Sequence, residues 1–373
     1  MPFIDTRSPG EFEKGAFPSA LSLPLMNNEE RALVGTCYKE KGQAAAIDLG
    51  HGLVYGAVKQ SRIDRWIKQL HRHPETVLYC FRGGLRTKIS LEWLAEAGLV
   101  VPYVEGGYKA MRHFLIETIE AAGQHPWLVV AGKTGSGKTE LLKAAVETAS
   151  DIAVVDLEHL ANHRGSAFGS EVTPQPSQIN FENALAIELL RLGQGSASQV
   201  LIEDEGRLIG RAFVPMPVQT VIRNSDMVEL VRPFEERAQA IAEDYVLRRQ
   251  QELLELFDAS TDVLALVEDR LLEQLGSIRR RLGGERHALL TQRLSEAFVR
   301  YRSNSDVTEH FSWIEPLLLD YYDPMYEHQA SRSNRNLLFR GEQPEILEWL
   351  QERPHQPHRQ DASGQRNELP PLQ

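Results

Sequence analysis

The stretch that most constrains this chain is Gly132-Lys133-Thr134-Gly135-Ser136-Gly137-Lys138-Thr139, entered from the apolar run Pro126-Trp127-Leu128-Val129-Val130-Ala131 and followed by a helical pattern near Lys138–Thr148. A buried-type strand that runs into G-x-x-x-x-G-K-[ST] and then a helix is a phosphate-binding loop. Gly132, Gly135, Ser136 and Gly137 supply backbone that wraps a phosphate, Lys138 neutralises it, and the Thr139 hydroxyl is placed for Mg2+ if a metal is used. The motif recognises a di- or triphosphate and does not by itself establish hydrolysis. Further strands at Ile152–Val155 and Val200–Ile202 alternate with helices near Lys138–Thr148 and Ser177–Leu192, the rhythm of a parallel α/β sheet.

Carboxylates follow two of these strands. Glu203, Asp204 and Glu205 end the second, where they could hold a metal-bound water, and Asp156 and Glu158 follow the first. Read as surface, the same residues form a solvated acidic turn. The His159/His163 spacing would suit a metal on a helix, but no further ligand cluster accompanies it, so substrate contact or plain helix surface is the better reading and no metal site is certain.

A second loop of the same design lies upstream. The apolar run Thr76–Tyr79 ends at Cys80, and Phe81-Arg82-Gly83-Gly84-Leu85-Arg86 leads into a helical pattern over Leu85–Ala97. A helix N-terminus with Arg82 and Arg86 nearby favours a thiolate, and Gly83 and Gly84 let the loop turn its N–H groups around an anion. Cys80 is thereby the candidate nucleophile. The one other cysteine, Cys37, has no such loop around it and reads as structural or as a resolving or substrate-contacting thiol.

With 42% apolar and 25% charged residues the chain has a globular composition, and it contains no apolar run long enough to span a bilayer. No secretory signal is evident, so a cytoplasmic enzyme with reduced thiols is expected. Residues 1–120 read as one α/β domain, with apolar runs at Thr76–Tyr79 and Val100–Val104. Residues 121–233 read as the core of a phosphate-loop domain, 234–352 as a helical extension completing the C-terminal part, and 353–373 as a disordered tail. A net charge of −11 excludes a generic polyanion binder, so any nucleic-acid contact needs a local basic patch. Arg279, Arg280 and Arg281 begin one that continues through Arg286, Arg293, Arg300 and Arg302; it reads either as a solvated helix face or as a phosphate-contacting surface.

Three motifs in order, Asp5-Thr6-Arg7-Ser8-Pro9-Gly10-Glu11-Phe12 with Gly15-Ala16-Phe17-Pro18-Ser19-Ala20, the Cys80 loop, and Tyr103-Val104-Glu105-Gly106-Gly107-Tyr108, resemble those of rhodanese domains. A rhodanese-like domain followed by a P-loop NTPase-like domain resembles the tRNA 2-selenouridine synthase family. The similarity extends to Asp156–Ser166, to Glu203–Glu205 with Arg207–Arg211, and to Tyr321–Tyr326, while Gly206 replaces a small hydroxyl residue. The resemblance implies that wobble 2-thiouridine at position 34 of certain tRNAs is S-geranylated with geranyl diphosphate and then converted to 2-selenouridine with selenophosphate, Cys80 carrying the selenium. It implies tRNA as partner and admits an enzyme that supplies selenophosphate. The phosphate loop could hold ATP or GTP, geranyl diphosphate or selenophosphate. The alternative is a rhodanese-type sulfurtransferase, or a phosphatase given the Cys-x5-Arg spacing of Cys80 and Arg86, with a regulatory nucleotide-binding domain.

Overall fold

The computed structural model describes residues 2–195, 197–258, 260–332 and 334–353. The tail expected to be disordered lies, beyond Arg353, outside the described residues.

Strands β1 (Phe3–Asp5), β2 (Ala20–Ser22) and β3 (Val77–Tyr79) form a parallel sheet in the order β2-β1-β3. Around it run helices α1 (Pro9–Lys14), α2 (Asn28–Leu53), α3 (Gly56–Arg72), α4 (Leu85–Glu96) and α5 (Gly107–Glu120). Ile4, Trp66, Leu78 and Leu94 fill the core between sheet and helices. The run Val100–Val104 is not a strand: it contributes one isolated bridge, Leu78 to Tyr103. Pro102 has no N–H to give a ladder, and Val100 is 98% exposed while Val101 is buried, so the run turns only single side chains inward without extending the sheet. Helix α2 breaks at Gly42, whose φ of 85° and ψ of −176° lie outside the helical region and favour glycine.

The second sheet has five parallel strands in the order β10-β9-β4-β6-β5. They are β4 (Trp127–Ala131), β5 (Ile152–Val155), β6 (Gln199–Glu203), β9 (Met227–Leu230) and β10 (Leu337–Gly341); a small hairpin, β7 (Leu208–Ile209) and β8 (Ala212–Phe213), precedes β9. Strand β4 is buried at every position, as a central parallel strand covered on both faces must be. Helices α6 (Lys138–Thr148), α7 (Leu157–Ala161), α8 (Gln178–Gln194) and α9 (Met216–Asn224) provide the crossovers.

Between β9 and β10 the chain leaves the sheet for a helical layer: α10 (Phe234–Ala242), a π-type segment at Glu243–Arg248, α11 (Arg249–Leu256), α12 (Val263–Ser277), α13 (Arg279–Leu282), α14 (Gly284–Asn304), α15 (Phe311–Leu317) and α16 (Asp323–Ala330). This layer has its own core around Phe168, Phe298 and Trp313. The chain then returns: β10 pairs with β9, and Ile346 and Leu350 of α17 (Gln343–Glu352) pack with Leu141 and Leu142 of α6. The sheet therefore draws its edge strand from the segment that sequence alone assigns to the helical extension.

The two sheets do not belong to independently tumbling units. Helix α5 packs along α8, and one continuous core joins Phe17, Tyr79, Tyr108 and Leu115 to Phe181, Leu185 and Ile202. Polar contacts seal the seam: Asn180 Oδ1 accepts from the Ala16 amide at 2.7 Å, Asn183 Nδ2 donates to the Ala16 carbonyl at 2.8 Å, and Arg112 donates to Asn183 Oδ1 at 2.8 Å.

Candidate active site

Cys80 sits, buried, just past the C-terminal end of β3. Its loop is backed by a second one: the amides of Tyr108 and Lys109 donate to the carbonyls of Cys80 and Phe81 at 2.8 and 3.0 Å. A Cβ on Gly107 would lie 2.4 Å from the Cys80 carbonyl oxygen and 2.5 Å from the Gly83 nitrogen, so only glycine permits this approach. Gly83 itself has a φ of 66°, and Gly84 forms the N-cap of α4. The opening motif explains itself in the same way. Asp5 accepts from the Arg7 amide and guanidinium, Arg7 donates on to the Gly15 carbonyl at 2.8 Å, and its guanidinium lies 3.8 Å from the Tyr108 ring centre. This buried pair ties β1 to the strand-end loops.

The two loop arginines differ. Arg82 lies against the Phe81 ring, whereas Arg86 donates to both carboxylate oxygens of Glu11, at 2.7 and 3.2 Å. Burial alone would raise the Glu11 pKa, but hydrogen bonds and charge from Arg86 bring it down to about 2. Arg86 is thus a partner of Glu11, which weighs against a phosphatase-type role for it. Cys37 lies half-buried on α2.

In the phosphate loop, Gly135 and Gly137 take φ of 80° and 91°, and Lys138 Nζ donates to the Gly132 carbonyl at 3.1 Å. Ser136 is buried and its hydroxyl has no partner among the described residues. The loop is held from behind by residues that sequence reading did not single out. Arg237 Nε donates to the Thr134 carbonyl at 2.9 Å and pairs in two-pronged fashion with Asp323, at 2.5 and 3.0 Å; Lys133 reaches Asp323 at 3.3 Å and Glu327 at 2.7 Å. Asp323 stands inside the Tyr321–Tyr326 segment, so that segment's likeness to the family was a signal, though the pairing of α10 with α16 was not readable from it.

Of the acidic candidates, the structure brings Glu203 and Glu205 together with Glu158, carboxylate oxygens of all three lying within 4.8 Å of one another. Thr139 Oγ1 lies 3.1 Å from Glu203 Oε1 and 3.4 Å from Glu158 Oε2, joining the cluster to the phosphate loop. Asp204 is turned aside and held by Arg335 through two bonds of 2.7 Å. Asp156 caps α7, accepting from the His159 amide at 2.7 Å. Helix α7 ends at Ala161 with Asn162 in the left-handed region, so His159 and His163 do not share a helical face as their spacing suggests.

Burial raises the pKa of Glu158; burial together with the charge of Glu158 raises Glu203 well above the usual range and pushes Glu205 up to about 8. Glu203 Oε2 is buried with no hydrogen-bond partner among the described residues. Three desolvated carboxylate ligands beside a hydroxyl are the hard-oxygen donor set that suits Mg2+, and the orphaned oxygen gives the fit an independent reason. Residues Lys138, Arg164, Arg232, Arg281 and Tyr326 help line a cavity of about 610 Å3 over the loop.

The basic stretch divides. Arg300 pairs with Glu296 and Glu309, Arg302 with Asp262, and Arg293 donates to the Ser312 carbonyl. Arg281, on α13, interacts with Tyr321 and faces the phosphate-loop cavity. Arg279 and Arg280 are exposed and show no ion pair among the described residues.

These features define a two-loop α/β protein in which a P-loop domain and a cysteine-loop domain share one core. Residues 125–357 match the family described as the tRNA 2-selenouridine synthase AAA domain. The chain is 47% identical over 351 residues to a tRNA 2-selenouridine synthase of Shewanella sp. strain MR-7, covering 94% of this chain and 93% of that one. It is 46% identical to that of Shewanella frigidimarina, covering 94% of each. Among solved structures, the N-terminal domain of a protein described as ATP/GTP binding from Clostridium difficile 630 is 34% identical over 31% of this chain and 88% of its own, with a TM-score of 0.27. The chain belongs to the tRNA 2-selenouridine synthase family and is an enzyme of tRNA modification. No helix among the described residues is long and apolar enough to cross a membrane.

Proposed function

We propose that this enzyme converts 2-thiouridine to 2-selenouridine in tRNA, at wobble position 34, through an S-geranyl intermediate, with the two loops dividing the work. In the first reaction the 2-thiouridine sulfur attacks the allylic carbon of geranyl diphosphate; the C–S bond forms, the C–O bond breaks, and diphosphate departs. The P-loop around Gly135, Ser136, Gly137 and Lys138 suits that charge, since Lys138 and the loop amides meet it where it develops. Glu158, Glu203 and Glu205 with Thr139 would hold Mg2+, which supplies further neutralisation of the diphosphate. In the second reaction the C2–S bond of the alkylated base breaks with loss of geranylthiol, a C2–Se bond to selenophosphate forms, and water cleaves the P–Se bond, releasing phosphate and leaving 2-selenouridine. Cys80, in a rhodanese-like loop with Arg82, Gly83 and Gly84, is the nucleophile of this reaction: its thiolate bonds to C2 as the C2–S bond breaks and geranylthiol leaves, and the selenium of selenophosphate then displaces the thiolate. Arg279 and Arg280 supply contacts to the tRNA backbone, with Arg281 at the cavity edge, and a selenophosphate-producing enzyme supplies the donor.

The observation that carries this reading is the common core, which holds two strand-end anion loops of different chemistry in one fixed frame. Incubating the protein with 2-thiouridine tRNA, geranyl diphosphate and selenophosphate tests it by mass spectrometry of the wobble nucleoside. S-geranyl-2-thiouridine that rises and then gives way to 2-selenouridine is the expected course. Direct conversion with no alkylated species, or none at all, would reject it.

A further inference from the structure

A second cavity, of about 470 Å3, opens beside the cysteine loop. Its lining combines Arg82, Gly84 and Arg86 of the cysteine loop with Val34, Ile47 and Val54 from α2 and its end and Leu85, Ile89 and Trp93 from α4, while Tyr38, Gln43 and His51 add its other polar groups. The volume falls within the range of about 300 to 1,000 Å3 usual for small-molecule sites. No carboxylate or lysine lines it. The phosphate-loop cavity is the opposite, lined by Lys138, Arg164, Arg232, Glu158, Asp204 and Glu205.

The wall that closes this cavity is unusual for a long helix. Of the 26 residues of α2, only Ala46 is buried, and the helix bends at Gly42 so that Val34 lies on one half and Ile47 on the other. Glu30 near its start is anchored by Arg62 at 2.8 Å, and Asn27 caps it. A helix held at its start, whose inner face meets a void in place of packed side chains, leaves apolar surface for something else to cover.

We infer that this cavity is the binding site for the isoprenoid chain of the S-geranylated uridine, holding a branched, uncharged alkyl thioether while selenium is delivered at the cysteine loop. The inference rests on the two-reaction reading above and assigns the alkyl chain to a different place from the diphosphate. An uncharged branched chain matches the largely apolar lining, and the sulfur to which it is attached then lies toward Arg82 and Gly84 of the cysteine loop. Geranyl diphosphate itself, carrying charge, belongs to the P-loop.

The test compares single-turnover conversion of tRNA bearing S-geranyl-2-thiouridine with that of tRNA bearing S-methyl-2-thiouridine, both with selenophosphate, for the wild type, Ile47→Trp and Val34→Trp. Both positions are only partly buried, so the larger side chain enters the cavity without displacing packed core. Each substitution is expected to slow the geranyl substrate by about tenfold or more and to leave the methyl substrate unchanged. Equal rates in variant and wild type, or equal slowing of both substrates, would overturn the assignment while leaving the two-reaction reading intact. A wild type that converts neither alkylated tRNA yet selenates 2-thiouridine directly would overturn both. Should the variants not fold, added geranylthiol decides on the wild type alone: inhibition of geranyl-tRNA conversion that methanethiol does not reproduce supports the site, and no inhibition rejects it.

Discussion

Around Lys138 the protein gathers charge of both signs: three clustered carboxylates, Arg164 and Arg232, and the buried Arg237–Asp323 pair behind the loop. Around Cys80 it gathers glycine, aromatic rings and a largely apolar cavity, with Glu11 answering Arg86. Both loops follow a parallel strand and open a helix. What differs is the surroundings, and that decides the chemistry each can support. A site that must meet a diphosphate benefits from preorganised charge and a metal. A site that must exchange one chalcogen for another and release an alkyl thiol benefits from a thiolate nucleophile and a dry wall.

The comparison breaks most sharply on Cys80→Ser. A serine hydroxyl is a far weaker nucleophile than a thiolate, so selenation should fall below about a thousandth of wild type. Geranylation should persist, and nucleoside mass spectrometry reads both. Next in size is Asp323→Ala, which strands Arg237, only 4% exposed, beneath the phosphate loop. A buried charge deprived of its partner costs about 3 to 5 kcal/mol, to be read by urea denaturation. The matching change at the other loop, Glu11→Ala, leaves a more accessible Arg86 and should cost about 1 kcal/mol.

Acid and base should also separate the loops. Glu205 has its pKa raised to about 8, so the folded state binds a proton that the unfolded state has lost, and stability falls as pH rises from about 4.5 to 8. Glu11, lowered to about 2, has the opposite sign: its stabilisation is present above about 4.5 and is lost as pH falls toward 2. Mg2+ should therefore raise the thermal midpoint by about 4 °C or more at pH 8 and much less at pH 5.5, and Glu205→Gln should flatten the alkaline slope. The smallest effect is expected from Arg279→Glu with Arg280→Glu, which should flatten the salt dependence of tRNA binding by about one unit of slope per lost contact. An unchanged slope would make these residues ordinary solvated surface.

Both loops were legible in the sequence because each is contiguous: strand, glycines and helix follow one another within a dozen residues or so, and the backbone conformation needed is encoded locally. The acidic cluster was only half legible. Glu203 ends β6 while Glu158 lies on α7 beyond β5, and past the last residue of β6 no alternation tells which of Asp204 and Glu205 turns inward. The brace of Arg237 on Asp323 joins α10 to α16 across 86 positions, and no local pattern encodes it. Helix α2 escaped reading for a related reason. With one buried residue it has almost no apolar periodicity, and Gly35, Gly42, Gly50 and Gly52 depress its helix propensity. Strand β10 buries only its last residue, Gly341, and is separated from its partner β9 by the whole helical layer.

The division of labour is tested most directly by giving pre-geranylated tRNA and selenophosphate to Lys138→Ala and to Cys80→Ser. On 2-thiouridine tRNA with geranyl diphosphate and selenophosphate, Lys138→Ala should leave the substrate ungeranylated and Cys80→Ser should accumulate the geranylated form. Pre-geranylated tRNA should restore 2-selenouridine formation in Lys138→Ala and leave Cys80→Ser inactive. Failure of that substrate to rescue Lys138→Ala would mean that the phosphate loop also serves the selenium reaction, which contradicts the separation of the two loops.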